Sequence, residues 1–224
     1  MPPLQMPLQN RVTPSGEIIA ATQRGTMLGN RGGCFHTASQ RIKPRPYASK
    51  QWICCVLDFK GRRRSVMSPG LYTELFFLDE ATALAAGHRP CFECRRADAS
   101  RFAEIWAERT GHTKRASAPE MDVVLQSERI NAKHQKITFN ASLASLPNGT
   151  FVQAHGMPHL KWDAKFWPWS LDGYDKATVI DASETFKVLT PISIVAQLTA
   201  GYKPTVHPSL VIYPLPNTAV RDRP

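Results

Sequence analysis

The stretch LFFLDEATALAAGHRPCFEC at residues 75–94 contains the clearest structural signals in the chain. Its apolar beginning predicts a strand over residues 72–78. Asp79 is a typical N-cap residue, the next seven positions are rich in alanine, and Gly87 permits a left-handed stop. We therefore expect a strand followed by a short helix over residues 80–86, after which Asp98 is expected to cap another helix.

The segment ends in a C-x-x-C motif formed by Cys91 and Cys94. A two-residue spacer lets both thiolates face one ion, so the motif predicts half of a tetrahedral zinc site. A redox pair is the alternative. Thioredoxin-type motifs place the first cysteine at the start of a helix directly after a strand, whereas this motif follows a helix and Gly87. The chain has five cysteines, an odd number, which also argues against a disulfide framework.

Two further ligands must come from upstream, where Cys34, His36, Cys54 and Cys55 are the candidates. Cys54 and Cys55 are neighbours on a predicted strand over residues 52–59. Their side chains therefore point to opposite faces, so at most one is a ligand and the other is a buried thiol. His36 lies two residues from Cys34 and shares a face with it if that segment is extended. We expect Zn²⁺ to be bound by Cys91, Cys94, Cys55 and His36, with Cys34 as the substitute.

The strand, the alanine-rich helix, the glycine stop and the final RPCFEC of residues 75–94 together resemble the end of the zinc-binding domain of the Ada alkyl-DNA repair family. The resemblance implies a small zinc-binding module that holds DNA, with Arg89 as a phosphate-facing arginine. That family's first two ligands form a C-x-x-x-C pair, which this sequence lacks. The resemblance therefore implies a mainly structural metal here, and the rest of the chain does not resemble the family's methylguanine transferase domain.

The positive charge lies in the first half of the chain. The formal net charge is +10, and residues 1–115 carry net +9 against +1 for residues 116–224. Such asymmetry favours contact with a polyanion, because each cation placed on a phosphate releases a counterion. We expect nucleic acid, most readily DNA, as the partner, and the predicted phosphate contacts are Arg62, Arg63, Arg64, Arg89, Arg95 and Arg96.

The pattern of elements predicts an α+β protein. A small N-terminal zinc-binding α/β module precedes a β-rich domain with one or two helices. The glycine-rich residues 25–33 are too permissive for a regular element, and we expect them to form a turn that leads into a strand, with an anion-binding loop as the alternative. The expected divisions are an N-terminal extension at 1–25, the module at 26–111, a linker at 112–118, the β-rich domain at 119–216 and a loose tail at 217–224.

The second half offers one candidate reaction centre. His155, His159 and Asp163 would suit a metal-dependent hydrolase or nuclease if they meet at the end of a hairpin. The alternative is a small sheet with tryptophans in its core and histidines on its turns. A third possibility for the whole chain is a zinc-stabilised protein-interaction module.

The chain of 224 residues, 42% of them hydrophobic, has the composition of a globular protein. No run approaches the roughly 18 apolar residues of a membrane-spanning helix. The first ten residues lack the charged and apolar regions of a signal peptide. We therefore expect a cytoplasmic location and no membrane partner. The oligomeric state stays open.

Overall fold

The computed structural model describes residues 6–62, 65–178 and 184–210. Within these residues two β-sheets and four α-helices form an α+β fold, as the sequence predicts. The helices are α1 (Glu80–Ala85), α2 (Arg96–Thr110), α3 (Ala118–Arg129) and α4 (Ile192–Thr199). In this part of the chain, none of the helices has the length and apolar character needed to span a bilayer.

The first sheet contains six strands, which are β1 (Gln9–Val12), β2 (Ile18–Ala20), β3 (Met27–Arg31), β4 (Trp52–Val56), β5 (Leu75–Phe77) and β6 (Arg89–Pro90). Their order across the sheet is β2-β1-β5-β3-β4-β6. Strand β3 runs antiparallel to both β4 and β5, and β6 adds to the edge of β4 in parallel. The candidate metal ligands lie at this β4–β6 edge.

The second sheet contains five antiparallel strands, which are β7 (Phe139–Ser142), β8 (Thr150–Ala154), β9 (Met157–Trp162), β10 (Lys165–Pro168) and β11 (Thr185–Val188). Their order is β10-β9-β8-β11-β7. One side of α1 packs on this sheet, because Ala81 and Ala85 share a core with Phe151 and Leu160.

The glycine-rich stretch forms a central strand, so the predicted irregular turn is wrong at residues 27–31. Gly29 explains why a glycine occupies a strand here. A Cβ atom on Gly29 would lie 2.4 Å from the Ile53 carbonyl oxygen and 2.7 Å from the Phe77 ring. The glycine therefore allows close packing within a regular strand rather than a turn.

The predicted start and stop of α1 are confirmed. Asp79 Oδ1 accepts a hydrogen bond from the Thr82 backbone N–H at 2.8 Å, and Gly87 follows the helix with φ +89°. The predicted cap of α2 is wrong. That helix begins at Arg96 after Arg95, and Asp98 lies in its first turn.

One apolar core contains residues from both sides of the predicted linker at 112–118. Phe102 and Ile105 of α2 pack with Met121 and Leu125 of α3 and with Leu198 of α4. The segment therefore joins two helices of one core, and the division into a module and a β-rich domain stays a prediction about folding units. The predicted tail at 217–224 lies outside the described residues.

Candidate metal centre

Three cysteine thiols converge at the edge of the first sheet. Cys55 lies on β4, Cys91 directly follows β6, and Cys94 lies two residues before α2. Their sulfur atoms all lie within 4.8 Å of one another. The parallel pairing of β4 with β6 explains the convergence, since Cys54 is opposite Pro90 and the Cys91 N–H donates to the Cys54 carbonyl at 3.0 Å.

The two neighbouring cysteines of β4 take opposite roles, as the alternation of a strand predicts. Cys55 joins the three-thiol cluster. Cys54 is fully buried in the core of the first sheet. Burial raises the pKa of the Cys54 thiol, so this side chain stays protonated and apolar in character.

The protons of the cluster are shared unequally. Hydrogen bonds from the Cys55 and Cys94 side chains lower the pKa of the Cys91 thiol. The hydrogen bond to Cys91 in turn raises the pKa of the Cys55 thiol. Cys91 is thus the sulfur that most easily carries negative charge, and a divalent cation would replace the protons that the three sulfurs share.

His36 does not join the cluster, so the predicted fourth ligand is wrong for this structure. The His36 ring is buried, with Nδ1 2.7 Å from Thr73 Oγ1 and Nε2 3.1 Å from the Ser68 carbonyl oxygen. Cys34, the predicted substitute, has its sulfur 3.9 Å from the same Nδ1. Among the residues that the structure describes, the cluster has three members only.

A cavity of about 450 Å³ borders the cluster, and Cys55, Cys91 and Cys94 all line it. Its wall also includes the aromatic rings of Phe59 and Phe76 and the side chains of Arg24, Arg62, Glu74 and Glu93. Local motifs give no role to Arg24 or Glu74, and they place Phe76 only in a predicted strand. The adjacency arises because β3, β4 and β5 are neighbours in the sheet.

The six arginines predicted to contact phosphate have different environments. Arg62 and Arg96 are exposed, whereas Arg89 and Arg95 are buried. Arg63 and Arg64 lie outside the described residues. Arg62 Nη2 lies 2.8 Å from Glu93 Oε1 on the rim of the cavity, in an ion pair that is about half exposed.

Arg89 and Arg95 are structural, so the prediction that they contact phosphate is wrong. The Arg89 guanidinium donates to both carboxylate oxygens of Asp122, at 2.9 and 2.7 Å, with only 1% of its side chain exposed. Arg95 donates to Glu80 at 2.8 Å and to Asp98 at 3.0 Å. Both guanidiniums are buried and donate to carboxylates within the fold, so neither lies on the surface where a phosphate could contact it.

The predicted hydrolytic centre of the second half does not assemble. His155 and Asp163 lie in the two turns at opposite ends of β9. His159 is buried, with Nδ1 3.1 Å from the Met157 carbonyl oxygen, and Asp163 accepts from Asn148 Nδ2 at 2.8 Å. At about 3.3 Å per residue, four strand positions separate His159 from Asp163 by roughly 13 Å, too far for one ion.

A buried cationic layer beneath the first sheet has no counterpart in the sequence analysis. Arg31 and Arg129 place their guanidiniums 3.9 and 4.0 Å from the Trp52 ring centroid. Arg31 donates to the Gly16 carbonyl at 2.8 Å and Arg129 to the Gly87 carbonyl at 3.0 Å, whereas the buried Nε of Arg129 has no partner among the described residues. These residues hold loops to the sheet through cation–π contacts and hydrogen bonds, a role that sequence spacing does not reveal.

The fold and the cluster define a class, namely an α+β protein with three converging thiols that could hold a metal ion. Comparisons of the chain with protein-family models, with curated proteins and with solved structures find no match.

Proposed function

We propose that this protein binds Zn²⁺ through Cys55, Cys91 and Cys94, and that the metal joins β4 to the segment between β6 and α2. The convergence of three sulfur atoms within 4.8 Å carries the proposal. Thiolates are the preferred ligands of structural zinc, and a two-residue spacer between two of them is typical of such sites. The likeness of residues 75–94 to the Ada zinc domain supports the same metal. The segment has the strand, short helix, glycine stop and C-x-x-C in the order that the resemblance implies.

We further propose that the zinc-bound protein binds nucleic acid, most readily DNA, through exposed cations of its first half. The net charge of +9 over residues 1–115 supports this proposal. Exposed cations of that half include Arg24, Arg41, Lys43, Arg45, Lys60, Arg62 and Arg96. Contacts of this kind neutralise phosphates without reading bases, so the binding is expected to depend steeply on salt.

The metal proposal is tested by elemental analysis of the purified protein and of cysteine variants. We expect about one zinc per chain in the natural sequence. The changes Cys55→Ser, Cys91→Ser and Cys94→Ser should each remove most of it, because two thiolates bind the ion far more weakly. Cys34→Ser and Cys54→Ala are the matched controls and should retain the zinc, since neither sulfur belongs to the cluster. Zinc retained in Cys55→Ser would contradict the assigned ligands.

Nucleic-acid binding is tested by titrating a labelled duplex at several salt concentrations. The affinity should fall steeply with salt, and Arg62→Glu and Arg96→Glu should each lower the salt slope by about one. A glutamate at position 96 lies in the first turn of α2, where negative charge is favourable, so this variant should fold. Lys176→Glu reverses an exposed charge in the second half and is the control. An affinity that does not change with salt concentration would contradict the proposed surface. So would a loss of affinity in Lys176→Glu as large as in Arg62→Glu and Arg96→Glu.

A further inference from the structure

The three-thiol cluster and the neighbouring cavity form one continuous site. A tetrahedral zinc ion with sulfur ligands at about 2.3 Å needs its sulfurs on one triangular face and a fourth donor on the opposite side. Three sulfurs within 4.8 Å of one another supply the triangular face. All three cysteines also line the cavity of about 450 Å³, so free space adjoins every member of the cluster.

No fourth histidine, cysteine or carboxylate joins the three sulfurs in the part of the chain that the structure describes. Of the three other upstream candidates, His36 and Cys34 lie near Thr73 and each other, away from the cluster, and Cys54 is buried in the core of the first sheet. Two glutamates line the cavity, but neither belongs to the cluster. Glu93 pairs with Arg62 at the rim, and Glu74 accepts the Met67 N–H at 2.7 Å. Zinc sites with three protein ligands are those that keep a position for water or a substrate.

The lining of the cavity indicates the chemistry of a ligand. The rings of Phe59 and Phe76 and several aliphatic side chains supply an apolar wall. Of the charged side chains in the wall, Arg62 pairs with Glu93 and Glu74 accepts the Met67 N–H, whereas Arg24 has its guanidinium 5.5 Å from the Phe76 ring centroid. Arg11 lies over the same ring at 5.0 Å, and the pKa of Arg11 is lowered by burial and by the nearby Arg24 charge.

The two cations around Phe76 have no carboxylate partner among the described residues. The ion pairs found there involve Arg62, Arg89, Arg95 and Arg101. An anion placed beside Arg24 would relieve the repulsion between the two guanidiniums and gain charge-assisted hydrogen bonds. Small-molecule sites commonly combine a mostly apolar wall with a few such polar groups.

We propose that the metal bound by Cys55, Cys91 and Cys94 keeps its fourth coordination position open to this cavity, and that the cavity binds a small organic anion with an apolar body. The ligand's donor atom completes the coordination of the metal, its body packs on Phe59 and Phe76, and its negative group meets Arg24. The inference rests on the proposed metal site, and adds to it an exchangeable ligand.

The test uses the full chain loaded with Co²⁺, whose visible absorption reports the ligands of the ion. The probe is 4-(imidazol-1-yl)benzoate, which carries a nitrogen donor, an aromatic body and a carboxylate. The control probe, 1-phenylimidazole, is the same molecule without the carboxylate. We expect both to change the cobalt absorption in a saturable way, and the carboxylate probe to bind about tenfold more tightly, which corresponds to about 1.4 kcal/mol.

Arg24→Gln should weaken binding of the carboxylate probe about tenfold and leave binding of 1-phenylimidazole within about twofold. Arg101→Gln, which removes an exposed arginine of α2, should change neither. Equal weakening of both probes by Arg24→Gln, or no weakening, would overturn the role of Arg24.

Failure of the inference and failure of the metal site give different results. The chain could bind one Co²⁺ ion and give a cobalt spectrum that neither probe changes. That result would contradict a fourth coordination position open to the cavity, and it would leave the metal site itself supported. If Glu93→Gln changes that spectrum while the probes do not, Glu93 is the fourth ligand and the inference is wrong. A chain that binds neither Zn²⁺ nor Co²⁺ overturns both proposals.

Discussion

The folded structure requires the neutral form of the His88 side chain. It is completely buried, with its ring 5.1 Å from the Trp52 ring and 4.7 Å from the Phe77 ring. Arg31 Nε lies 3.4 Å from His88 Nε2, which must therefore accept, while Nδ1 faces the Ala83 carbonyl at 3.3 Å. Desolvation by burial, with the charge of Arg31, lowers the pKa of His88 well below 6.5.

Acid should therefore destabilise the protein through His88. The folded-state pKa is lowered, so below pH 6.5 the unfolded chain binds a proton at this residue that the folded chain does not. We expect the free energy of unfolding to fall by up to about 1.4 kcal/mol per pH unit from this residue alone. Urea unfolding at pH 7.5, 6.5 and 5.5 measures the slope.

The matched comparison for this prediction is between two histidine variants. His88→Gln should flatten the slope below pH 6.5, whatever its stability at neutral pH. His134→Gln replaces an exposed histidine and should keep the slope of the natural sequence. A slope that His88→Gln leaves unchanged would show that other groups cause the acid sensitivity.

At the scale of elements, an ion pair joins β6 to α3. Arg89 lies two residues after Gly87, the glycine that follows α1. Its guanidinium forms two hydrogen bonds with Asp122, whose side chain is 7% exposed. Arg129, at the end of α3, donates to the Gly87 carbonyl at 3.0 Å. The polar contacts of α3 thus support the segment that leads into the C-x-x-C motif.

Removing the charge of Asp122 should destabilise the protein strongly. Asp122→Asn leaves the Arg89 guanidinium buried without a counter-charge, and breaking such a pair costs about 3 to 5 kcal/mol. Denaturant unfolding measures the loss. Asp98→Asn is the control, because Asp98 pairs with Arg95 while about half exposed, and its loss should cost about 1 kcal/mol or less. Equal losses in the free energy of unfolding for Asp122→Asn and Asp98→Asn would contradict a larger contribution from the buried pair.

At the scale of the whole molecule, residues from the second half hold the N-terminus of α1. Tyr174 Oη donates to Asp79 Oδ2 and Tyr202 Oη donates to Glu80 Oε1, both at 2.6 Å. The Thr205 backbone N–H also donates to Glu80, at 2.9 Å. These contacts couple the start of α1, and through it the C-x-x-C segment that follows, to residues 95 to 125 positions further along the chain.

Tyr202→Phe tests this coupling. The change removes one donor from the buried Glu80 carboxylate, and we expect the free energy of unfolding to fall by about 2 kcal/mol, the range for hydrogen bonds to charged groups. Zinc release and loss of ellipticity during thermal unfolding should shift together. Tyr47→Phe alters a partly exposed tyrosine of the first half and should have little effect. Zinc release that stays at its original temperature would show that the two halves unfold independently.

The local sequence was sufficient for features that depend on neighbours along the chain. Asp79, the alanine run and Gly87 predict α1 because capping and helix termination involve residues within one turn. The opposite roles of Cys54 and Cys55 follow from strand alternation, and the C-x-x-C spacing predicts two members of the three-thiol cluster.

Tertiary structure alone decided which distant groups meet. The pairing of β4 with β6 brings Cys55 rather than His36 to the C-x-x-C motif. Arg89 is buried in a pair with the Asp122 carboxylate of α3 and does not lie on the surface. The strand β9 separates His159 from Asp163 although they are close in sequence. Residue types and spacing indicate which groups are able to bind a metal or a phosphate. Strand register and burial determine which of them have a partner, because both depend on contacts between segments that the order of residues does not specify.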